Sequence, residues 1–174
     1  MEPKSLIQAA RGGDRASYNA LVLTFQNEVY NLTFWILGGE TAAVEATQAA
    51  FLQAYRDLSH YREGVFRNFL FQKAIVACKR RLQHSGRRRS VLLLSSSSAK
   101  TTPCRTADIV TEPVAGQALQ HCLSTLPVEQ RLAAVLVDVE GFDYCQAAEI
   151  LGIKPNQVRY HLSLARQTLC LRLT

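Results

Sequence analysis

At 174 residues the chain has room for one ordinary domain or two small ones, and its 48% hydrophobic content excludes wholesale disorder. A formal charge of +6 and a pI near 9.3 favour a polyanionic partner such as nucleic acid. No stretch nears the roughly 20 apolar residues of a membrane span, and the opening Met1, Glu2, Pro3 and Lys4 lack an apolar signal core, so a cytoplasmic location is expected.

From Leu6 to about Gln83 apolar residues recur at helical spacing: Tyr18, Leu21, Val22, Phe25, Val29, Leu32, Phe34 and Trp35, then Phe51, Leu52, Tyr55 and Leu58. This half is predicted to be a bundle of about four helices. Gly38 and Gly39 stop one helix and Thr41 is placed to cap the next, whose periodic face runs from Val44 through Tyr55. Residues 62–64 precede a further helix, from Val65 to about Leu82.

From His84 to about Val114 the composition changes to a basic cluster (Arg87, Arg88, Arg89), a short apolar run (Val91 to Leu94), serines, and then Thr, Pro and Ala. Such a segment offers little core to offset the entropy of ordering and reads as a flexible linker, with the run at Val91 as a loosely ordered apolar stretch. Helical periodicity returns from about Gly116. Leu119, Cys122, Leu123 and Leu126 mark a helix ending at Pro127, and Val128 to Val139 mark another, closed by Glu140 and Gly141. Two shorter helices follow, Tyr144 to Leu151 and Lys154 to about Leu171. The whole reads as an all-α chain of two small helical domains, 1–83 and 115–174, joined by the linker 84–114.

Five scattered cysteines (Cys78, Cys104, Cys122, Cys145, Cys170) have neither the close spacing of a zinc site nor that of a redox pair, and are expected to be reduced thiols. Cys78, Cys122, Cys145 and Cys170 fall within helical patterns and are read as small buried hydrophobes. The histidines (His60, His84, His121, His161) are dispersed, no glycine-rich phosphate loop occurs, and carboxylates such as Glu28 read as solvated helix charges. No catalytic residue, cofactor or metal is assigned, and an enzyme is not expected.

The segment Gly141 to Leu169 has the layout of a helix-turn-helix. Asp143 is placed as an N-cap with Gln146 in capping-box register. Ala147 and Ala148 are small where two helices cross, Ile150 and Leu151 face the core, Gly152 tolerates positive φ and Ile153 plugs the turn. Pro155 falls in the first turn of the last helix, and Val158, Leu162 and Ala165 form its buried stripe. Toward the open side lie Lys154, Asn156, Gln157, Arg159, Tyr160, His161 and Ser163, with Arg166 beyond. Recognition helices contact base edges from their first turns and phosphates from flanking basic residues. Asn156, Gln157 and Tyr160 are the base-edge candidates, and Lys154, Arg159, His161 and Arg166 the phosphate candidates.

Leu123 to Ile153, with Leu126-Pro127, Gln130-Arg131, Asp138, Glu140-Gly141, Tyr144 and Ala148-Glu149, resembles the sigma-4 domain of extracytoplasmic-function sigma factors of the sigma-70 family. Phe25, Val29-Tyr30, Glu45, Thr47-Gln48, Phe51-Leu52, Tyr55, Phe66-Arg67, Phe69-Leu70 and Ala74 are similar to its sigma-2 domain. The resemblance implies a promoter-specificity subunit whose partners are core RNA polymerase and promoter DNA, with an anti-sigma factor as a further candidate partner. It implies that the helix from Lys154 reads the minus-thirty-five element, and that Glu45, Gln48 and Leu52 dock on the coiled coil of the polymerase largest subunit. It further implies that the helix from Phe66 to Arg81 melts and reads the minus-ten element, with Lys73, Lys79, Arg80 and Arg81 supplying charge and Tyr61 and Phe69 stacking on bases.

The chain departs from that pattern at several positions. Val44 and Ala49 stand where acidic residues are usual, Ile75 and Val76 where an arginine-asparagine pair is usual, Arg80 where an acid is usual and Leu164 where a base is common. Two alternatives therefore stay open: a helix-turn-helix DNA-binding regulator that has lost promoter melting, and a helical protein that sequesters a partner.

Overall fold

The computed structural model describes the backbone of residues 3–61, 64–92 and 113–173, and the side chains of 4–61, 64–83 and 116–171. Helix α1 (Pro3–Arg11) leads into α2 (Arg15–Leu37), which Asp14 caps by accepting the backbone N–H groups of Ala16 and Ser17. Helix α2 ends at Gly38, whose φ of 75° no β-carbon-bearing residue adopts cheaply. Helix α3 (Glu40–Asp57) starts two residues ahead of expectation: Gly39 is its N-cap, and Thr41 lies inside the first turn, exposed, without the capping role expected of it. The extended Gly39 turns the chain sooner, and Glu40 then supplies a favourable negative charge to the first turn.

A 3-10 turn (Leu58–His60) precedes α4 (Phe66–Leu92). This helix runs past Gln83, where a linker was expected to begin, because no proline between Val65 and Leu92 stops it. Of the expected linker, 93–112, with Cys104, lies outside the described residues. Helices α2, α3 and α4 enclose Leu21, Val29, Leu32, Ile36, Leu70 and Phe71, and α3 contributes Phe51 and four small residues, Ala43, Ala46, Ala50 and Ala54, so its axis approaches its neighbours closely. Two polar groups in this core are satisfied. The Tyr18 hydroxyl donates to the Phe51 carbonyl at 2.6 Å, and the fully buried Thr33 hydroxyl meets the Tyr30 and Ala43 carbonyls and the Thr47 hydroxyl.

The second half is built from α5 (Pro113–Thr125), α6 (Val128–Ala134), a π-helical turn (Val135–Val139), α7 (Tyr144–Leu151) and α8 (Pro155–Leu173). The single helix expected from Val128 to Val139 thus changes pitch halfway, with the Glu140 N–H donating to the Val135 carbonyl at 2.9 Å. Among the described residues there is no strand.

The two halves share one core. Phe71 of α4 meets Phe142, the residue just ahead of α7, edge to face at 5.4 Å between ring centres. Arg131 of α6 is buried and donates to the Ile36 carbonyl in the last turn of α2 and to the Ser124 and Leu126 carbonyls at the end of α5. Its guanidinium serves helix-end carbonyls that have no partner within their own helices. Gln120 of α5 donates to the Phe34 and Trp35 carbonyls of the same α2 terminus.

Cys78 and Cys122 are buried as expected, and burial pushes the Cys78 thiol up to about 12. Cys145 and Cys170 correct the expectation. Both are exposed, because each falls on the outward side of its helix while Ala147, Ala148 and Ile150 of α7 and Val158, Leu162 and Ala165 of α8 fill the crossing.

Candidate nucleic-acid interface

Helix α7 is fixed by the capping box read from the sequence: the Asp143 carboxylate accepts the N–H groups of Cys145 and Gln146, both at 2.8 Å, and the Gln146 side chain accepts the Asp143 N–H at 3.2 Å. Gly152 ends it at φ 69°, and the Ile153 N–H closes back onto the Ala148 carbonyl. Helix α8 then begins at Pro155 with Val158, Leu162 and Ala165 in the core.

That packing turns the opposite side of α8 outward. Lys154, Asn156, Gln157, Arg159, Tyr160 and Arg166 are exposed and His161 is half-buried. Tyr160 is 61% exposed, the one ring among the described α8 residues open broadly to a partner, with His161 edge-on at 5.6 Å. Gln157 also acts within its own helix. Its side-chain oxygen accepts the Lys154 N–H at 3.0 Å, which satisfies one orphan donor of the helix start and leaves its amide NH2 for a partner. The two arginines are held on one flank. Arg159 packs over the Tyr144 ring at 5.6 Å, and Arg166 makes a two-pronged pair with Asp138 of the π turn at 2.5 and 3.2 Å. That pairing holds the Arg166 guanidinium above its ordinary pKa.

In the first half, Tyr61, Phe66 and Phe69 form an aromatic cluster with ring centres 5.1 to 5.8 Å apart, and Phe25 abuts Phe66. Tyr61 and Phe69, the expected stacking rings, are half-buried in it. Lys73 sits 4.9 Å from the Phe69 ring centre and pairs with Asp57 at 2.5 Å. The hydrogen bonds from Gln53 and Lys73 hold the Asp57 carboxyl below its ordinary pKa. Arg81 pairs with Glu45, so a residue expected to meet polymerase and one expected to meet DNA are joined to each other. Lys79 is half-buried and Arg80 exposed. Of the two departures on this helix, Ile75 belongs to the core, at 2% exposure, whereas Val76 is exposed.

Gln48 and Leu52 line a groove of about 610 Å³ between α2 and α3, floored by Tyr18, Val22, Phe51 and Tyr55. Leu52 is 61% exposed. Sequence reasoning did not single out Tyr144, Asp138, Arg67 or Arg131 for the contacts they make here. Each meets partners on another element, and no spacing along the chain encodes that.

A protein-family model described as "Sigma-70, region 4" matches residues 116–169, which contain α7, most of α8 and the turn that feeds them. Over nearly the whole chain the similarity is to extracytoplasmic-function sigma factors. The RNA polymerase sigma factor SigE of Mycolicibacterium smegmatis is 29% identical over 161 residues, 90% of this chain and 63% of that protein, so the chain spans less than two thirds of that relative. SigM of Mycobacterium tuberculosis is 28% identical, covering 94% of this chain and 81% of its own length, and the sigma-E factor of Escherichia coli is 25% identical, covering 94% and 90%. Among solved structures, CnrH in complex with the cytosolic domain of CnrY superposes with a TM-score of 0.69 at 19% identity over 97% of this chain and 94% of its own. The sigma factor RpoE in complex with the anti-sigma factor NepR from Bartonella quintana gives the same score and identity over 90% and 96%. The fold is the one those two chains adopt. No helix of the described residues is long and apolar enough to cross a membrane.

Proposed function

We infer that the chain belongs to the extracytoplasmic-function sigma factors of the sigma-70 family, and on that premise we propose that it binds core RNA polymerase and directs it to promoters, catalysing no reaction of its own. The observation that carries the proposal is α8: a capped, glycine-turned helix-turn-helix presents Asn156, Gln157, Arg159 and Tyr160 outward within the segment matched by the region 4 model. Such a helix reads base edges through its first turns and grips phosphates along its flanks.

The first half supplies the other contacts. The groove edge at Gln48 and Leu52, with Glu45 beside it, is the polymerase-docking face, and Lys79, Arg80, Arg81, Lys73, Tyr61 and Phe69 are the minus-ten contacts. The groove's apolar floor supports a docking role, since large exposed apolar side chains such as Leu52 mark contact surfaces. An anti-sigma factor is a further proposed partner, supported by the solution of the RpoE neighbour together with one. The place of action is the cytoplasm, where polymerase and promoter are found.

Run-off transcription with core polymerase over a pool of promoter fragments tests the reading. Promoter-dependent transcripts that Leu52→Glu and Arg159→Ala each suppress are the expected result. A second reading, a duplex-binding regulator without melting, is favoured by the exposed Val76 and by the ion pairs that occupy Lys73 and Arg81. Duplex binding with no transcript at any promoter would establish that reading instead.

A further inference from the structure

The two arginines on the flank of α8 have different partners, and the difference in charge is what matters. Arg159 rests on the neutral ring of Tyr144, whereas Arg166 is met on two of its nitrogens by the Asp138 carboxylate. They are two helical turns apart, about 10 Å along the axis on the same side of the helix. Sequence alone makes them equivalent phosphate candidates.

We propose that the elements ahead of α8 sort these two arginines: Tyr144 positions Arg159 as a phosphate contact with its full charge, and Asp138 withholds Arg166 from the DNA. The inference rests on the nucleic-acid reading of α8 given above. An aromatic face fixes the direction of a guanidinium without neutralising it, because the ring offers a quadrupole and no net charge. A carboxylate that accepts two N–H groups neutralises the cation and occupies one of the donor edges that a phosphate could use. Tyr144 and Asp138 sit on separate elements, the first residue of α7 and the π turn, and Tyr144 also bonds to Arg166 through its side chain, as a lesser partner than Asp138. Tyr144 is thus a positioning residue and Asp138 a mask.

The two roles predict opposite changes in one measurable quantity, the slope of log binding constant against log salt. That slope steepens by about 0.9 for each additional phosphate the protein neutralises and flattens by as much when one is given up. The probe is a random-sequence duplex pool, since phosphate contacts are independent of sequence, titrated against the full chain at several salt concentrations. Tyr144→Ala is expected to make the slope shallower by about 0.9, as Arg159→Ala does, with no further change in the double variant. Tyr144→Phe keeps the ring and should restore the wild-type slope. Asp138→Asn should make the slope steeper by about 0.9 and tighten binding at low salt by several-fold, an increase that loss of structure does not produce. A wild-type slope for Tyr144→Ala alongside a reduced one for Arg159→Ala, or a wild-type slope for Asp138→Asn, overturns the assignment. Absence of salt-dependent binding by the unaltered chain overturns the nucleic-acid reading of α8 itself.

Discussion

Arg67 of α4 donates to the carboxylate of Glu140, the residue that closes the π turn of the other half, at 2.9 Å. The same guanidinium reaches Glu28 of α2 through its Nε and lies 4.7 and 4.5 Å from the ring centres of Phe71 and Phe142. One side chain therefore ties three elements together across the seam between the halves. If the halves address separate promoter elements, as proposed, this seam is the contact that must part.

Arg67→Ala removes both ion pairs and leaves Glu140, whose side chain is only 10% exposed, without its cation. A buried charge stripped of its partner is costly, but Arg67 itself is 29% exposed and Glu28 43%, so solvent softens the loss. The expected destabilisation is about 2 kcal/mol by urea denaturation. Glu28→Gln, at the exposed end of the pair, should cost less than about 1 kcal/mol.

Burial is the largest influence on Glu140 and lifts its carboxyl above the ordinary carboxylate range, against the opposing pull of Arg67, with Glu28 adding to the rise. A raised folded-state value means that the folded chain binds the proton more tightly than the unfolded chain. This group's contribution to stability is therefore most favourable below the unfolded-state value and is lost as pH rises through the raised one. Thermal melts of the wild type and Glu140→Gln across the acidic range should show the wild type's Tm falling relative to the variant's as pH increases. A difference that grows in the wild type's favour with pH would contradict the assignment.

Arg131 has no exposed surface role that would hide its contribution. Its burial lowers the guanidinium's pKa while its donors still serve the Ile36, Ser124 and Leu126 carbonyls. Arg131→Ala strands three helix-end acceptors and opens a cavity, and should cost about 3 to 5 kcal/mol in chemical denaturation. Arg131→Lys keeps charge but loses the fork that reaches two helix ends, and should recover less than half of that loss.

A methyl group at position 38 meets two penalties. Gly38 has a φ of +75°, and a β-carbon built there lies 3.1 Å from Nε2 of Gln120. Gly38→Ala should destabilise by about 1 to 2 kcal/mol from the backbone alone. It should also displace the Gln120 amide from the Phe34 and Trp35 carbonyls, a loss that shows as a smaller penalty when the substitution is made in a Gln120→Ala background.

Much of the helix-turn-helix was legible in the chain itself. Asp143 with Gln146, the turn at Gly152, the start at Pro155 and the buried stripe of Val158, Leu162 and Ala165 all fell where capping chemistry and helical spacing put them. These signals act within a turn or so of their own residue, so sequence order carries them directly. The same reasoning misplaced Thr41 as a cap and Cys145 and Cys170 in the core. A capping side chain competes with every neighbouring backbone geometry, and a small residue on a helix has no size that declares which way it faces.

The sequence by itself determined the all-α character, the helix-turn-helix and which side of α8 faces outward, because periodic apolar residues bury one side of each helix and expose the rest. Only the tertiary structure decided how the charges are paired: Arg67 with Glu28 and Glu140, Arg81 with Glu45, Arg166 with Asp138 and Arg131 with three carbonyls. Most of those partners are distant in the chain, 73 residues apart for Arg67 and Glu140, 28 for Arg166 and Asp138 and 95 for Arg131 and Ile36. An ion pair forms wherever packing brings opposite charges within a few ångströms, and that distance exists only once the helices have docked.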